Sequence, residues 1–272
     1  MITGGASGIG FAIADRLTRE EMRIVLADVE TGPLDRAVTR LHEAGGEVIG
    51  VPTDVSDRDS VDTLAKFVTE RVGVPYILCN NAGVGPGAIT WETPSSVWEW
   101  VIGVNLMGVI HGISAFVPGM VARGEGHVVN TASVAGLAGF PGMAAYCATK
   151  HAVVGLSQAL QLDLELARSE VRVTVLCPGA TKTRMNESGR NWPSTLGPPP
   201  PTGLLPGHPK TTESFLENFA ATAADPAAVA EQLLEAVQAG RFWAVTDPDP
   251  QSWLLPHYHG IMDGTLASSR AF

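Results

Sequence analysis

Tyr146 and Lys150 stand four residues apart in the run Tyr146-Cys147-Ala148-Thr149-Lys150, a spacing that puts both on one face of a helix. A free phenol has a pKa near ~10, too high for a base at neutral pH. A nearby ammonium lowers that by about 1–3, which suits proton transfer to or from an alcohol oxygen. Alone, such a pair is as often plain helix surface, so its company decides. Ser133 lies upstream, and the chain opens with MITGGASGIG, in which Thr3, Gly4, Ser7, Gly8, Ile9 and Gly10 mark a glycine-rich turn leading into a helix. Glycines let the backbone approach a ligand closely, and a helix N-terminus offers free N–H groups to a pyrophosphate. Asp28 follows Gly10 by 18 residues, where a carboxylate can accept both hydroxyls of an adenosine ribose and repels a 2′-phosphate. Val29 comes next and Ser7 precedes Gly8, so no adjacent basic group welcomes that phosphate. The pattern favours NAD over NADP. Singly, a glycine turn can serve packing only, and a strand-end aspartate can cap a turn.

These residues need elements that gather them at one edge. Ile9, Ile13 and Leu17 recur at helical spacing and predict a helix over about 8–20. MRIVLADV predicts a buried strand ending at Asp28, Leu34, Ala37, Val38 and Leu41 the next helix, and GEVIGVPTDV the next strand. Ser56 is the expected N-cap of a helix marked by Val61, Leu64, Ala65 and Val68. Strand PYILCNN, a long helix over 97–121, strand HVVNTAS, a helix over 144–167 and strand VRVTVLCPG follow, then a helix over 226–239 and strand RFWAVT. Alternating strands and helices mean right-handed βαβ units and a parallel sheet. The expected fold is therefore α/β, a doubly wound Rossmann fold with a mostly or wholly parallel sheet and helices on both faces. Ligands in such sheets sit at the carboxyl ends of the strands. The glycine turn, Asp28, Asp54, residues 80–83, Ser133, Pro178 and Gly179 all fall just after predicted strands.

The 272 residues suit one domain with a substantial core, 45% hydrophobic and 17% charged. A net charge of −10 argues against a nucleic-acid surface or an anionic membrane as partner. Cys79, Cys147 and Cys177 show no metal-ligand spacing and no disulfide framework. No basic leader and no run of about 18 apolar residues is evident, so a soluble cytoplasmic protein is expected. Residues 188–210 hold seven prolines and four glycines. Such a segment within a compact domain marks a substrate lid, taken here as about 184–225, or a disordered stretch. The tail over 247–272 is unassigned, and His257 and His259 have no clear acidic partner beside them. No metal site is expected.

The chain resembles the short-chain dehydrogenase/reductase family through TGGASGIG, Asp28, TDV at 53–55, NNAG at 80–83, Asn105 in VNLMG, Ser133, YCATK and PGATKT at 178–183. The resemblance implies that Tyr146 is the general acid/base and that Lys150 lowers its pKa and holds the nicotinamide ribose. It implies that Ser133 bonds the substrate oxygen and that Asn105 holds a water relaying protons through Lys150. Thr3, Gly4, Ser7, Gly8, Ile9 and Gly10 would cradle the cofactor. Asp54 and Val55 would meet its adenine, Asn81, Ala82 and Gly83 would flank it, and Pro178, Gly179, Thr181 and Thr183 would contact its nicotinamide end. Hydride would pass between an alcohol carbon and the cofactor. The family's first strand usually has several residues before the threonine. Only Met1 and Ile2 stand here, so either a very short strand or a start lying upstream is expected.

Val84, Val134, Leu137, Met143 and Trp192 neighbour the catalytic positions or the lid, and they suit a bulky apolar secondary alcohol or ketone; simple packing explains them equally. Val153, Val154, Leu156, Leu160, Leu162, Leu164 and Leu166 make the Tyr146 helix apolar nearly all round, which predicts burial; the family resemblance suggests a second subunit, giving a homodimer or homotetramer. An NADPH-dependent 3-oxoacyl or carbonyl reductase is the alternative, disfavoured by Asp28 and by an acidic surface that would repel an acidic carrier. A non-catalytic dinucleotide-binding protein on the same fold is a third reading.

Overall fold

The computed structural model describes residues 1–85, 87–200 and 222–266. Seven strands run β1 Ile2–Thr3, β2 Ile24–Asp28, β3 Val48–Pro52, β4 Ile77–Asn80, β5 His127–Thr131, β6 Arg172–Cys177 and β7 Trp243–Val245. They form one sheet in the order β3-β2-β1-β4-β5-β6-β7, and every neighbouring pair is parallel. The helices are α1 Gly8–Thr18, α2 Thr31–Glu43, α3 Arg58–Arg71, α4 Ser95–Ile102, α5 Gly108–Arg123, α6 Ala144–Leu166, α7 Pro226–Gln238 and α8 Gln251–Asp263. Strand order reverses between β1 and β4, and the carboxyl ends on either side of that point flank the crevice where ligands bind in open α/β sheets.

The first strand is indeed only two residues long. Ile2 aligns with Leu26 on one side and Cys79 on the other, and the ladder runs on through Cys79 N–H to the Met1 carbonyl. Ile2, fully buried, joins Leu26, Leu34, Leu41, Cys79 and Val129 in the core beneath α1 and α7. The opposite layer holds Val25, Leu64, Val68, Leu78, Phe116 and Met120. Both faces of the central strands are therefore covered, which explains why they read as unbroken apolar runs rather than alternating ones.

Several expectations shift in detail. The N-cap of α3 is Asp57, whose carboxylate accepts the Asp59 N–H. Ser56 instead donates its N–H and hydroxyl to Asp54. The long helix over 97–121 is three pieces: α4, a π-helical turn Gly103–Met107, and α5. A π turn admits one extra residue and re-aims a side chain, and here it buries Asn105 completely. This stretch, Ser95–Arg123, is also long and apolar enough to cross a membrane by length and composition, though Asn105, His111 and Ser114 interrupt its apolar run. In the fold it packs on β4, α3 and α6, with Val97, Trp100, Val109, Phe116 and Met120 buried. The tail contributes α8, whose Trp253 and Leu254 pack beside Val153 and Val175. Helix α6 buries Val153, Val154 and Leu164, but Leu162 and Leu166 are 63% and 85% exposed, so it is not enclosed all round. Half of the expected lid, residues 201–221 with Pro201, Pro206 and Pro209, lies outside the described residues, as does the end of the tail from 267.

Candidate active site

The glycine turn is held from beneath. The Thr3 hydroxyl accepts N–H groups from Asn81 and Ala82. The Asn81 amide donates to the Thr3 and Gly4 carbonyls at 3.0 and 3.3 Å and accepts the Thr131 hydroxyl. One side chain thus ties the ends of β1, β4 and β5 together. Gly4 and Gly8 take φ of +62° and +56°, the left-handed region that disfavours other residues. Ser7 precedes α1 without a side-chain cap bond, so the first-turn N–H groups of the helix stay open toward the cleft. Gly10 lets α1 press onto the turn: a Cβ there would be driven into the Gly4 carbonyl.

At the end of β2, Asp28 accepts the Ala6 N–H on one carboxylate oxygen and the Glu30 N–H on the other, each at 3.0 Å. Burial pushes its pKa up, and these two bonds offset the push. Each oxygen keeps a further lone pair for a hydroxyl.

Ser133, Tyr146 and Lys150 meet at the ends of β5 and α6. The Ser133 hydroxyl donates to the Pro178 carbonyl at 3.4 Å, accepts the Ala135 N–H at 3.1 Å, and lies near enough to the Tyr146 phenol to favour its charged form. The Lys150 ammonium sits 5.5 Å from the Tyr146 ring centroid and donates to the Thr131 carbonyl at 2.7 Å. Burial opposes the expected electrostatics in this arrangement. Burial pushes the phenol up to about 12, only partly offset by Ser133. Burial also drives the ammonium down to about 8. Desolvation outweighs a cation that lies beside the ring and makes no bond to its oxygen.

Asn105 forms a two-way clamp: its carbonyl accepts the Val84 N–H at 2.8 Å and its amide donates to the Val84 carbonyl at 2.9 Å and to Thr149 at 3.3 Å. It fixes the loop after β4 against α6. Its carbonyl lies 3.4 Å, and the Lys150 ammonium 3.7 Å, from where a Cβ on Gly83 would stand.

A cavity of about 380 Å³ runs along this edge. It is lined by Gly4, Ser7, Gly8, Ile9, Asp28, Asp54, Val55, Asn81, Ala82, Gly83, Tyr146, Lys150, Pro178 and Thr183 among the sequence-predicted residues. Thr3, Gly10, Asn105, Ser133, Gly179 and Thr181 do not line it; the first three hold its walls, and Ser133 reaches it through Tyr146. Thr181 donates to the Gly179 carbonyl, and Gly179 packs against Asp247. At one end the wall is apolar, with Val84, Trp100, Val104, Met185 and Trp192. Trp192 meets Trp100 edge-on at 5.1 Å and donates its indole N–H to Gly197. Val134, Leu137 and Met143 do not line this space; Leu137 belongs to the core around Val153, and Met143 packs against the Ala135, Tyr146 and Cys147 cluster. Sequence reading missed Glu30, Trp100, Met185, Ser188 and Arg190. Nothing in the linear spacing links residues 30 and 190.

A short chain dehydrogenase family model matches residues 1–194. The chain belongs to the short-chain dehydrogenase/reductase family. It is 40% identical over 192 residues to 1-deoxy-11-beta-hydroxypentalenate dehydrogenase of Streptomyces arenae, covering 69% of this chain and 68% of that one. It is 30% identical over 250 residues to a CLA biosynthesis dehydrogenase/reductase of Lactiplantibacillus plantarum, covering 91% and 87%. Among solved structures, a short-chain dehydrogenase/reductase from Burkholderia phymatum in complex with NAD superposes with a TM-score of 0.93 at 38% identity, covering 98% of this chain and 95% of that chain. An alcohol dehydrogenase from Thermococcus sibiricus complexed with 5-hydroxy-NADP gives 0.73 at 26% identity, covering 90% and 93%. The protein is thus an oxidoreductase of this family, with nicotinamide dinucleotide binding supported at family level.

Proposed function

We propose that the protein is an NAD-dependent dehydrogenase/reductase acting on a bulky, apolar secondary alcohol or ketone. The carrying observation is one cavity lined by both Asp28 and Tyr146, with Ser133 beside the phenol. The chain fits the cofactor on its own terms: an uncapped helix N-terminus for the pyrophosphate, and a carboxylate where an adenosine ribose would sit. Asp54 and Val55 stand where adenine would meet β3, while Pro178 and Thr183 border the nicotinamide end. The dinucleotide supplies or accepts the hydride.

The chain's own groups handle the oxygen and its proton. The Ser133 hydroxyl, set behind the Tyr146 phenol, orients that phenol toward the substrate oxygen. With its pKa raised, that phenol is a neutral O–H donor at pH 7, ready to protonate an oxygen that gains negative charge. In the oxidative direction the phenol first passes its proton by way of Lys150 to solvent, with positive charge at the Lys150 end favouring the phenolate. The phenolate then takes the alcohol proton as the hydride leaves. Lys150, held by the Thr131 carbonyl, stands where it can fix a ribose hydroxyl. Val84, Trp100, Val104, Met185 and Trp192 exclude water from the apolar end and select the substrate. The described part of the expected lid, residues 184–200, borders this space through Met185, Trp192 and Pro193.

The exposed Leu162 and Leu166 on α6 support a homodimer or homotetramer built across that helix. Light scattering of the intact chain tests this, and a monomer refutes it. Tyr146→Phe tests the chemistry: turnover is lost while NAD⁺ titration calorimetry shows unchanged binding. A Tyr146→Phe variant that keeps its turnover refutes the assignment, and NADP⁺ binding more tightly than NAD⁺ refutes the cofactor choice.

A further inference from the structure

We propose that Arg190 and Glu30 are positioning residues, an ion pair that fastens the 183–197 segment across the cofactor cleft and so governs how long the dinucleotide stays. The inference rests on the NAD reading above.

Arg190 donates from Nε to both Glu30 oxygens at 3.0 and 3.1 Å and from Nη2 at 2.8 Å. Its Nη1 donates to the Arg184 carbonyl at 2.9 Å, which ties the guanidinium to its own segment. The Arg190 guanidinium above all, with a smaller contribution from the Asn191 side chain, holds the Glu30 carboxyl below the usual range. The two side chains are only 24% and 17% exposed. An exposed pair of this kind contributes little, but a forked, half-buried one is stronger and holds a defined geometry. The other ion pairs on the described residues either join neighbours within a few positions or lie outside this cleft.

Location turns the pair into a clasp. Glu30 lies two residues beyond Asp28 and donates its N–H to that carboxylate, so it stands at the ribose edge. The segment that reaches it is pinned at two further edges of the same cleft. The Thr183 methyl lies 3.0 Å from where a Cβ on Gly8 would be, against the glycine turn. The Ser188 hydroxyl accepts the Gly85 N–H at 3.2 Å, beyond β4. A dinucleotide lying from Gly8 to Asp28 is therefore crossed by this segment, and the bond from Arg190 to Glu30 must open for it to leave. Two residues on, Trp192 forms the substrate wall against Trp100. The same clasp thus sets the wall that the substrate meets.

The test uses the full chain and NADH. Dissociation is followed by stopped-flow displacement of NADH fluorescence for wild type, Arg190→Gln, Glu30→Gln and the double variant, with thermal midpoints measured alongside. Each single variant releases NADH about tenfold faster, and the double variant is no faster than either single, because both remove the same bond. KM for an apolar ketone rises in all three, while the single-turnover hydride rate at saturation holds. Unchanged release in the single variants, or a double variant whose effect is the product of the singles, overturns the clasp. A drop in thermal midpoint without faster release also overturns it. A wild type that binds NADH, with variants that behave like it, refutes the clasp alone. A wild type that binds neither NADH nor NADPH refutes the cofactor reading along with it.

Discussion

Gly10→Ala puts the packing of the glycine turn to a quantitative test. In an ordinary helix interior the change stabilises by about 1 kcal/mol, because alanine loses less backbone freedom on folding. Position 10 is in α1 with no left-handed φ to forbid it, so propensity alone predicts gain. Space predicts loss. The new methyl would be driven into the Gly4 carbonyl and lie 2.6 Å from the Asn81 amide nitrogen. Neither can yield cheaply: one is backbone, and the other bonds to the Thr3 and Gly4 carbonyls. Over-packing of this sort costs about 1–3 kcal/mol, so the net result is a loss of up to about 2 kcal/mol, or a few degrees in thermal midpoint for a chain of this size. Relief requires α1 to back away from the turn, which moves the open N–H groups of residues 8–10 off the pyrophosphate position. Scanning calorimetry and NAD⁺ titration of the same preparation should therefore fall together, with affinity down by tenfold or more. A variant as stable as the parent, with unaltered NAD⁺ affinity, refutes the view that Gly10 exists for close approach.

Asp28→Asn removes the charge while keeping the shape, so it should weaken NAD⁺ by about tenfold and narrow its advantage over NADP⁺ in calorimetric titration. Trp192→Ala opens the apolar wall; KM for a bulky ketone should rise by about tenfold or more, with a much smaller rise for a short one, in steady-state assays. His127 is buried against Thr174, with burial and then the Arg172 charge lowering its pKa to about 4. The unfolded chain takes that proton near pH 6.5 and the folded chain resists it, so stability is intact above pH 6.5 and falls by up to about 3 kcal/mol on approach to pH 4. Urea unfolding from pH 7 to 4 measures this slope, and His127→Gln should flatten it.

The elements were legible because their signals are local. Apolar runs ending at Asp28, Asn80 and Cys177 could only be strands covered on both faces, and the helices between them carry 3.6-residue periodicity. What escaped depends on geometry that spacing does not encode. The Ser56 cap prediction failed because Asp54 offers that serine a closer acceptor, leaving Asp57 to cap α3. The π turn at Gly103–Met107 leaves no mark in composition, though it explains how an asparagine in the midst of an apolar helix reaches Val84.

The site divides the same way. Its residue types were readable, because a tyrosine and a lysine four apart on a helix must share a face wherever that helix lies. The sign of their pKa shifts was not. An ammonium four residues away favours the phenolate, but loss of solvent favours the phenol. In the folded chain, both groups lose water, and each moves toward its neutral form, Tyr146 up to about 12 and Lys150 down to about 8. Had the ammonium been bonded to the phenol oxygen, Coulomb attraction could have won. It is instead bonded to the Thr131 carbonyl, at the end of β5. Burial thus favours the neutral phenol in the folded chain, and in the proposed mechanism further positive charge entering the cleft favours loss of its proton.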